Sequence, residues 1–201
     1  MPPLYILDLL GTFAFAVYGS HVAQTKRLDL FGIIACAFVT GFGGGTIREL
    51  FLNTIPTYFY NSTYTAVVFL GVVFSILTYR YFASIRPYML WIDALGLVTV
   101  AYIGASRAAE AGLGFIGILI FATLSAVGGG VLRDVLIREV PEVLYQDFYA
   151  TPAIVLGVGY YIIHMYANYP WAGYILLCTI FIIRIFAIKL RIQMWKPNAG
   201  I

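Results

Sequence analysis

The sequence has too little charge for a protein that is dissolved in water. Only 10% of its 201 residues are charged, 62% are hydrophobic and the mean hydropathy is +0.91. In a soluble domain roughly 25% of the residues are charged, so this chain has too few charged residues to cover a surface that faces water. Since a membrane-spanning helix needs ~20 mostly apolar residues, the chain has room for about seven spans and for no further soluble domain.

Residue patterns that are typical of enzymes and metalloproteins are also missing. No HExxH, GxSxG or CxxC pattern occurs, so we expect no enzymatic activity, no metal and no cofactor. Cys36 and Cys178 both lie in apolar runs, which favours buried hydrophobic side chains over a disulfide. The net charge is only +3 and the basic residues are scattered, so we expect no nucleic-acid partner. The N-terminus lacks the positive flank of a signal peptide and is predicted to be a permanent helix.

Charges and turn residues divide the apolar sequence into helices. The sequence predicts an all-α polytopic membrane protein whose seven transmembrane helices lie near 4–22, 29–51, 64–82, 89–107, 113–136, 150–167 and 171–190. The turn between the last two spans is predicted at 167–171, and the aromatic run from Tyr58 to Tyr64 is predicted to lie at the membrane interface.

The basic residues predict how the spans are oriented. With seven spans, one side receives Arg48 and Arg107, and the other receives Lys26, Arg27, Arg80, Arg86, Arg133, Arg138, Lys189, Arg191 and Lys196. The positive-inside rule therefore places the N-terminus outside and the C-terminus in the cytoplasm of a multi-pass inner-membrane protein. Arg184, near the end of the last span, is expected to snorkel to the cytoplasmic face.

The first half of the chain is repeated in the second half at a constant offset of 85 residues. Between residues 8 and 64, 17 of 57 positions are identical to those 85 residues later, without a gap. The matches include Asp8 with Asp93, Gly43–Gly45 with Gly128–Gly130, Arg48 with Arg133, Pro56 with Pro141 and Tyr64 with Tyr149. The predicted units are a first three-helix repeat at 1–84, a second at 85–168, and a seventh helix with a short cytoplasmic tail at 169–201. Because three is odd, the second repeat must be inverted in the membrane, as in many transporters.

A glycine triplet in the second helix of each repeat is the strongest local motif. Thr40 precedes Gly43, Gly44, Gly45 and Arg48-Glu49, and Ser125 precedes Gly128, Gly129, Gly130 and Arg133-Asp134. Glycines permit a kink or an unwound turn, and unwound backbone is tolerated in a membrane where it lines a water-filled cavity. The pattern therefore predicts an ion or substrate pathway at these residues. The alternative is close helix packing, which small residues also allow.

The arginine that follows each triplet needs a partner at membrane depth. Neighbouring residues on a helix do not face each other, so Arg48-Glu49 and Arg133-Asp134 are not expected to be simple pairs; both could instead mark helix ends at the interface. Chain direction places Asp8 at the level of Arg48 and Asp93 at the level of Arg133, which predicts the ion pairs Asp8–Arg48 and Asp93–Arg133.

The duplicated three-helix unit, with its GGG-x-x-R-[DE] signature and its seventh helix, resembles the prokaryotic members of the trimeric intracellular cation (TRIC) channel family. The same repeat is found in bacterial membrane proteins that are labelled glycine-transporter-like. The resemblance covers essentially the whole chain. It implies a homotrimer in the lipid membrane, with a pore for potassium or sodium ions in each protomer near the kinks at Gly43–Gly45 and Gly128–Gly130.

Two other functions fit the residues as well. A secondary transporter for a small zwitterion such as glycine could hold the substrate carboxylate with Arg48 or Arg133, and a membrane scaffold could use the glycines for packing alone. For the channel, carbonyl and hydroxyl oxygens at the glycine breaks could replace part of an ion's hydration shell. An unpaired arginine would repel cations, so a cation channel requires an acidic partner for each arginine or an arginine that moves with gating.

Overall fold

The computed structural model describes residues 3–166, 169 and 171–192, except for the side chains of residues 82–87. The regular structure of these ranges is helical. The α-helices are α1 (Pro3–Thr25), α2 (Leu30–Phe51), α3 (Ser62–Tyr79), α4 (Phe82–Glu110), α5 (Phe115–Leu136), α6 (Glu142–Tyr145), α7 (Thr151–Tyr166) and α8 (Ala172–Leu190). One turn of 3-10 helix, Thr57–Phe59, lies between α2 and α3.

Most of these helices can cross a membrane. Six described helical segments are long and apolar enough, namely α1, α2, α3, the Tyr88–Glu110 part of α4, α5 and α8. Helix α7 is apolar but has only 16 residues, fewer than the ~20 of a typical span. The prediction of an all-helical, multi-pass membrane protein is confirmed, whereas the count of seven spans stays a prediction. The turn predicted at 167–171, the unit boundary at 168 and Lys196 lie wholly or partly outside the described residues.

The helix boundaries follow the 85-residue offset of the sequence repeat. Helix α2 starts and ends 85 residues before α5. Helix α1 is offset by the same number from the Tyr88–Glu110 segment of α4. The 3-10 turn at Thr57 is likewise offset by 85 from α6, which begins at Glu142. The two repeats therefore build the same succession of helices.

Helices α1 and α4 form the centre of the molecule. They pack against each other, α2 packs on α1, α5 packs on α4, and α2 and α5 contact each other. Helix α3 lies against α1, while α7 and α8 cover α4. The buried faces of α1 and α4 are rich in small residues such as Ala14, Ala16, Ala101 and Ala105, which allow close approach of helices in a membrane.

Local capping residues fix the starts of two spans. The Asp29 side chain accepts a hydrogen bond from the backbone N–H of Gly32 at 2.8 Å, and Asn61 accepts one from Thr63 at 3.1 Å. These caps satisfy amide groups that the first helical turn leaves unpaired. They fix the start of α2, which carries Arg48, and the start of α3, which carries Tyr64.

Candidate functional site

The glycine triplets lie where α2 and α5 cross. A methyl group at Gly44 would overlap the carbonyl oxygen of Ser125, and one at Gly129 would overlap that of Thr40. A Cβ at Gly43 would lie 3.0 Å from the Cα of Gly129. Both segments are helical through their triplets, so an unwound turn does not form there, whereas a kink at the triplets stays a prediction. Close packing explains these glycines, because contact between the backbones of the two helices leaves no room for a side chain.

The third glycine of each triplet has a different environment. At Gly45 the nearest atom to an added Cβ would be Nη2 of Arg48 at 3.7 Å. At Gly130 the Tyr149 hydroxyl would lie at 3.5 Å and Nη2 of Arg133 at 4.0 Å. All three distances are ordinary van der Waals contacts. Gly45 and Gly130 therefore face the arginines of their own helices rather than the helix crossing.

The two hydroxyl residues before the triplets lie inside helix–helix contacts. Thr40 donates from Oγ1 to the carbonyl of Cys36 at 2.6 Å and is buried against Gly19. Ser125 is buried against Gly104, and its Oγ has no hydrogen-bond partner among the described residues. Neither hydroxyl lines the cavities described below.

Two adjoining cavities of about 30 and 290 Å³ open around Asp8; together they are called the Asp8 cavity. Asp8, Thr57 and Tyr64 line both of them, and Gly45 and Arg48 line the smaller one. The Tyr64 hydroxyl donates to Oδ2 of Asp8 at 2.7 Å. This places the Tyr64 side chain in the protein interior and not on a lipid-facing surface, while its depth at the membrane interface stays a prediction.

Arg48 pairs with the residue next to it. Its Nε and Nη2 donate to Oε1 of Glu49 at 2.9 and 2.8 Å, and both side chains are buried. Glu49 also accepts a hydrogen bond from Thr54. No arginine nitrogen of the described residues lies within 4.0 Å of the Asp8 carboxylate. The predicted Asp8–Arg48 pair is therefore wrong, and so is the expectation that neighbours cannot pair.

The second repeat pairs its arginine in the same way. Nε of Arg133 donates to Oδ1 of Asp134 at 2.8 Å, Nη2 lies 2.6 Å from the same oxygen, and Oε2 of Glu142 lies 3.3 Å from Nη2. Asp93 binds Arg184 instead, with Nη2 to Oδ2 at 3.1 Å. The predicted Asp93–Arg133 pair is wrong because chain direction fixes only the depth of a residue, not the helix face it occupies. A long arginine side chain can also bend back to a carboxylate on its own turn.

Arg184 of α8 is the functional candidate that the sequence analysis misplaced. It is 1% exposed and does not snorkel to the membrane surface. Its Nη1 donates to the carbonyls of Phe148 and Tyr149 at 2.6 and 3.2 Å, and its guanidinium stacks 4.7 Å from the Tyr149 ring. Tyr149 also donates to Oδ1 of Asp93 at 3.1 Å. An arginine inside an apolar span is by default paired or functional, and this signal could have identified Arg184 as a buried, paired residue.

A second cavity lies toward the other end of α1 and is called the Glu142 cavity. It measures about 640 Å³, and its lining includes Tyr18, Lys26 and Glu142. The Tyr18 hydroxyl donates to both oxygens of Glu142 at 3.0 and 3.1 Å, and Arg133 lies 5.1 Å from the Tyr18 ring. Burial raises the pKa of Glu142, which Arg133 opposes. Sequence reasoning missed Glu142 because it lies between two predicted spans and its repeat equivalent is Thr57.

The two cysteines and the possible metal ligands are the remaining candidates from the sequence. Cys36 is buried and Cys178 is exposed on α8, and neither forms a disulfide; burial of Cys178 is a wrong prediction. Among the described residues, no group of three His, Cys, Asp or Glu side chains is arranged to hold a metal ion.

Comparisons with known proteins agree with this arrangement. The family model for the glycine transporter matches the chain twice, over residues 5–80 and 90–165. The UPF0126 inner membrane protein YadS of Escherichia coli K12 is 35% identical over 84% of this chain and 81% of its own length. A solved TRIC cation channel is 33% identical over 98% of both chains, with a TM-score of 0.89. The TRIC trimeric intracellular cation channel orthologue from Rhodobacter sphaeroides is 29% identical over 96% of this chain and 100% of its own, with a TM-score of 0.87.

The two matches of the family model fall on the two sequence repeats, and the structural similarity extends over nearly the whole length. The resemblance to TRIC channels that the duplicated glycine motif suggested is therefore confirmed. The chain belongs to the glycine transporter family of multi-pass membrane proteins and shares its fold with the TRIC cation channels.

Proposed function

We propose that the protein is a potassium-permeable channel for monovalent cations, with potassium or sodium ions as permeants, that works as a homotrimer in the inner membrane with one pore in each protomer. The observation that carries the proposal is the similarity to a TRIC cation channel over 98% of both chains at 33% identity. The protein from Rhodobacter sphaeroides that shares this fold is a trimeric channel.

The two cavities suggest where the pore lies. Thr12 lines the Asp8 cavity and Tyr18 lines the Glu142 cavity. These residues are six positions apart on α1, so the cavities approach to about 9 Å along the helix axis. The pathway we propose runs along α1 on the side of Gly45 and Gly130. The other predicted pore residues before these glycines form the packed wall behind the pathway, namely Thr40, Gly43, Gly44, Ser125, Gly128 and Gly129.

The charges along this pathway are compatible with a cation. Arg48 is neutralised by Glu49, and Arg133 lies between Asp134 and Glu142. The two arginines that follow the glycine triplets are therefore paired with acids, and Arg27, which lines the Glu142 cavity without an ion pair among the described residues, is exposed. Asp8 adds a negative charge in one cavity and Glu142 adds one at the other, so the pathway favours cations over anions.

The proposed topology gives the orientation of the two repeats and of both termini in the membrane. The repeats at 1–84 and 85–168 lie inverted to each other, and the seventh helix with the tail at 169–201 stands outside the symmetry. The N-terminus is on the outer side and the C-terminus in the cytoplasm. Lys26 and Glu139, which form an ion pair near the Glu142 cavity, would then lie on the cytoplasmic side.

A flux assay in liposomes tests the proposed function. Purified protein is reconstituted with potassium inside and an impermeant cation outside, and a voltage-sensitive dye reports the membrane potential. We expect a potential that is negative inside and that is abolished by equal potassium on both sides. Protein-free liposomes are the control and should develop no potential. If the liposomes that contain the protein also develop no potential, the result contradicts a channel.

The second candidate is a transporter for glycine, which the name of the family model favours. The same liposomes loaded with buffer separate the two functions. Saturable uptake of labelled glycine, without a potassium-dependent potential, would establish the transporter and exclude the channel.

A further inference from the structure

The two repeats place an aspartate and a tyrosine in the same relation. Tyr64 donates to Asp8 at 2.7 Å, and Tyr149 donates to Asp93 at 3.1 Å. Each tyrosine lies 56 positions after its aspartate. The sequence repeat has therefore built the same oxygen pair twice, once at each end of the α1–α4 core.

In the second repeat this oxygen pair already holds a cation. The guanidinium of Arg184 contacts Asp93 at 3.1 Å and lies 4.7 Å from the ring of Tyr149. All three side chains are buried. Because Arg184 comes from α8, which has no counterpart in the repeat, it acts as a cation tethered in a pocket that the repeat itself supplies.

The first repeat has the same pocket without the tethered cation. No Lys, Arg or His nitrogen of the described part of the chain lies within 4.0 Å of the Asp8 carboxylate. The two arginines that line the Asp8 cavity have acids of their own, Arg48 with Glu49 and Arg107 with Glu110. Asp8 therefore keeps a net negative charge next to open space.

We propose that Asp8 and Tyr64 form a binding site for a small monovalent cation, an alkali metal ion in the place that Arg184 takes in the second repeat. A carboxylate that is partly withdrawn from water gains most from a nearby cation. Further oxygens are available from the Thr57 and Tyr5 side chains that line the cavity. A single uncompensated carboxylate suits a monovalent ion, because calcium takes six to eight oxygen ligands, usually with several carboxylates.

The choice of an alkali ion rests on the proposed function, since an amine of a zwitterion would satisfy the same carboxylate. The test must therefore separate the ion from the amine. Rubidium is a suitable probe because it replaces potassium and gives an anomalous diffraction signal.

The experiment is diffraction from crystals of the full-length protein grown with rubidium chloride. We expect an anomalous peak within about 3 Å of the Asp8 carboxylate, and none beside Asp93. In Asp8→Asn the peak should fall at least tenfold in height, whereas Glu139→Gln, which removes an acid near the other cavity, should keep it. Arg184→Met should add a second peak beside Asp93. If that variant does not fold, the comparison of Asp8→Asn with Glu139→Gln still decides.

Each outcome bears on the proposal. Absence of a peak at Asp8 in the wild type, or an equal peak in Asp8→Asn, overturns the site; potassium flux in the same preparation would leave the channel intact. Loss of the peak when glycine is added at tenfold excess overturns the alkali ion in favour of an amine. A peak without any flux supports the site and contradicts the channel.

Discussion

Neighbouring glycines in one triplet should respond in opposite ways to the same substitution. In Gly44→Ala the new methyl group overlaps the Ser125 carbonyl, whereas in Gly45→Ala it meets only Nη2 of Arg48 at 3.7 Å. Both changes replace glycine by alanine in the middle of α2, so both gain the same helix propensity. The pair therefore separates packing at the helix crossing from flexibility of the helix.

The magnitudes follow from two opposing terms. Alanine gains about 1 kcal/mol over glycine within a helix. Overfilling a packed site costs about 1–3 kcal/mol, and Gly44 lies toward the upper end because the atom in the way is backbone and cannot rotate aside. We expect Gly45→Ala to be as stable as the wild type or up to ~1 kcal/mol more stable. Gly44→Ala should lose about 2 kcal/mol net of the helix term.

Thermal unfolding in detergent, followed by tryptophan fluorescence and by the trimer or monomer peak in size-exclusion chromatography, measures this difference. Gly129→Ala and Gly130→Ala repeat the comparison in α5, where the Thr40 carbonyl is the obstacle at Gly129. Equal unfolding temperatures for Gly44→Ala and Gly45→Ala would refute the packing argument. If Gly44→Ala and Gly45→Ala lose conductance equally while their stability is unchanged, the result would instead indicate that the flexibility of the glycines matters for conduction.

Three further predictions concern the buried polar groups. Asp93→Asn should cost about 3–5 kcal/mol of stability because it strands the buried guanidinium of Arg184; Asp93→Asn combined with Arg184→Met should be less damaging in the same unfolding assay, and additive losses would contradict the pair. Tyr149→Phe should cost about 1 kcal/mol by removing the hydrogen bond to Asp93, and an unfolding temperature equal to that of the wild type would argue against that bond. The raised pKa of Glu142 means that its protonated form stabilises the fold fully below the ordinary carboxyl pKa, and that this contribution is lost as pH rises through the raised value. Stability measured against pH should therefore fall less steeply across this range in Glu142→Gln, and identical profiles would contradict a raised pKa of Glu142.

Much of the helical layout could be predicted from the sequence because apolar length and turn residues are local signals. The spans predicted at 29–51 and 113–136 match α2 and α5 closely. The break predicted between spans at 83–88 was less accurate, since α4 already begins at Phe82. The repeat was also visible, because the offset of 85 residues is preserved without a gap.

The partners of the charged residues could not be predicted. Depth in the membrane follows from chain direction, but the partner depends on which helix faces meet. Arg184 lies on the helix that the repeat does not include, so symmetry gave no reason to bring it to Asp93. The spacing of the glycines likewise fits an unwound turn and a tight crossing equally well. The contacts of Gly44 with Ser125 and of Gly129 with Thr40 distinguish the two.

Recording from the purified protein in a planar bilayer tests the central claim most directly. With a tenfold gradient of potassium chloride, we expect discrete current steps that reverse near the potassium equilibrium potential, about 59 mV in magnitude for a single charge. Reversal near the chloride potential of opposite sign, or silent bilayers from a preparation that takes up glycine in liposomes, would contradict a cation channel.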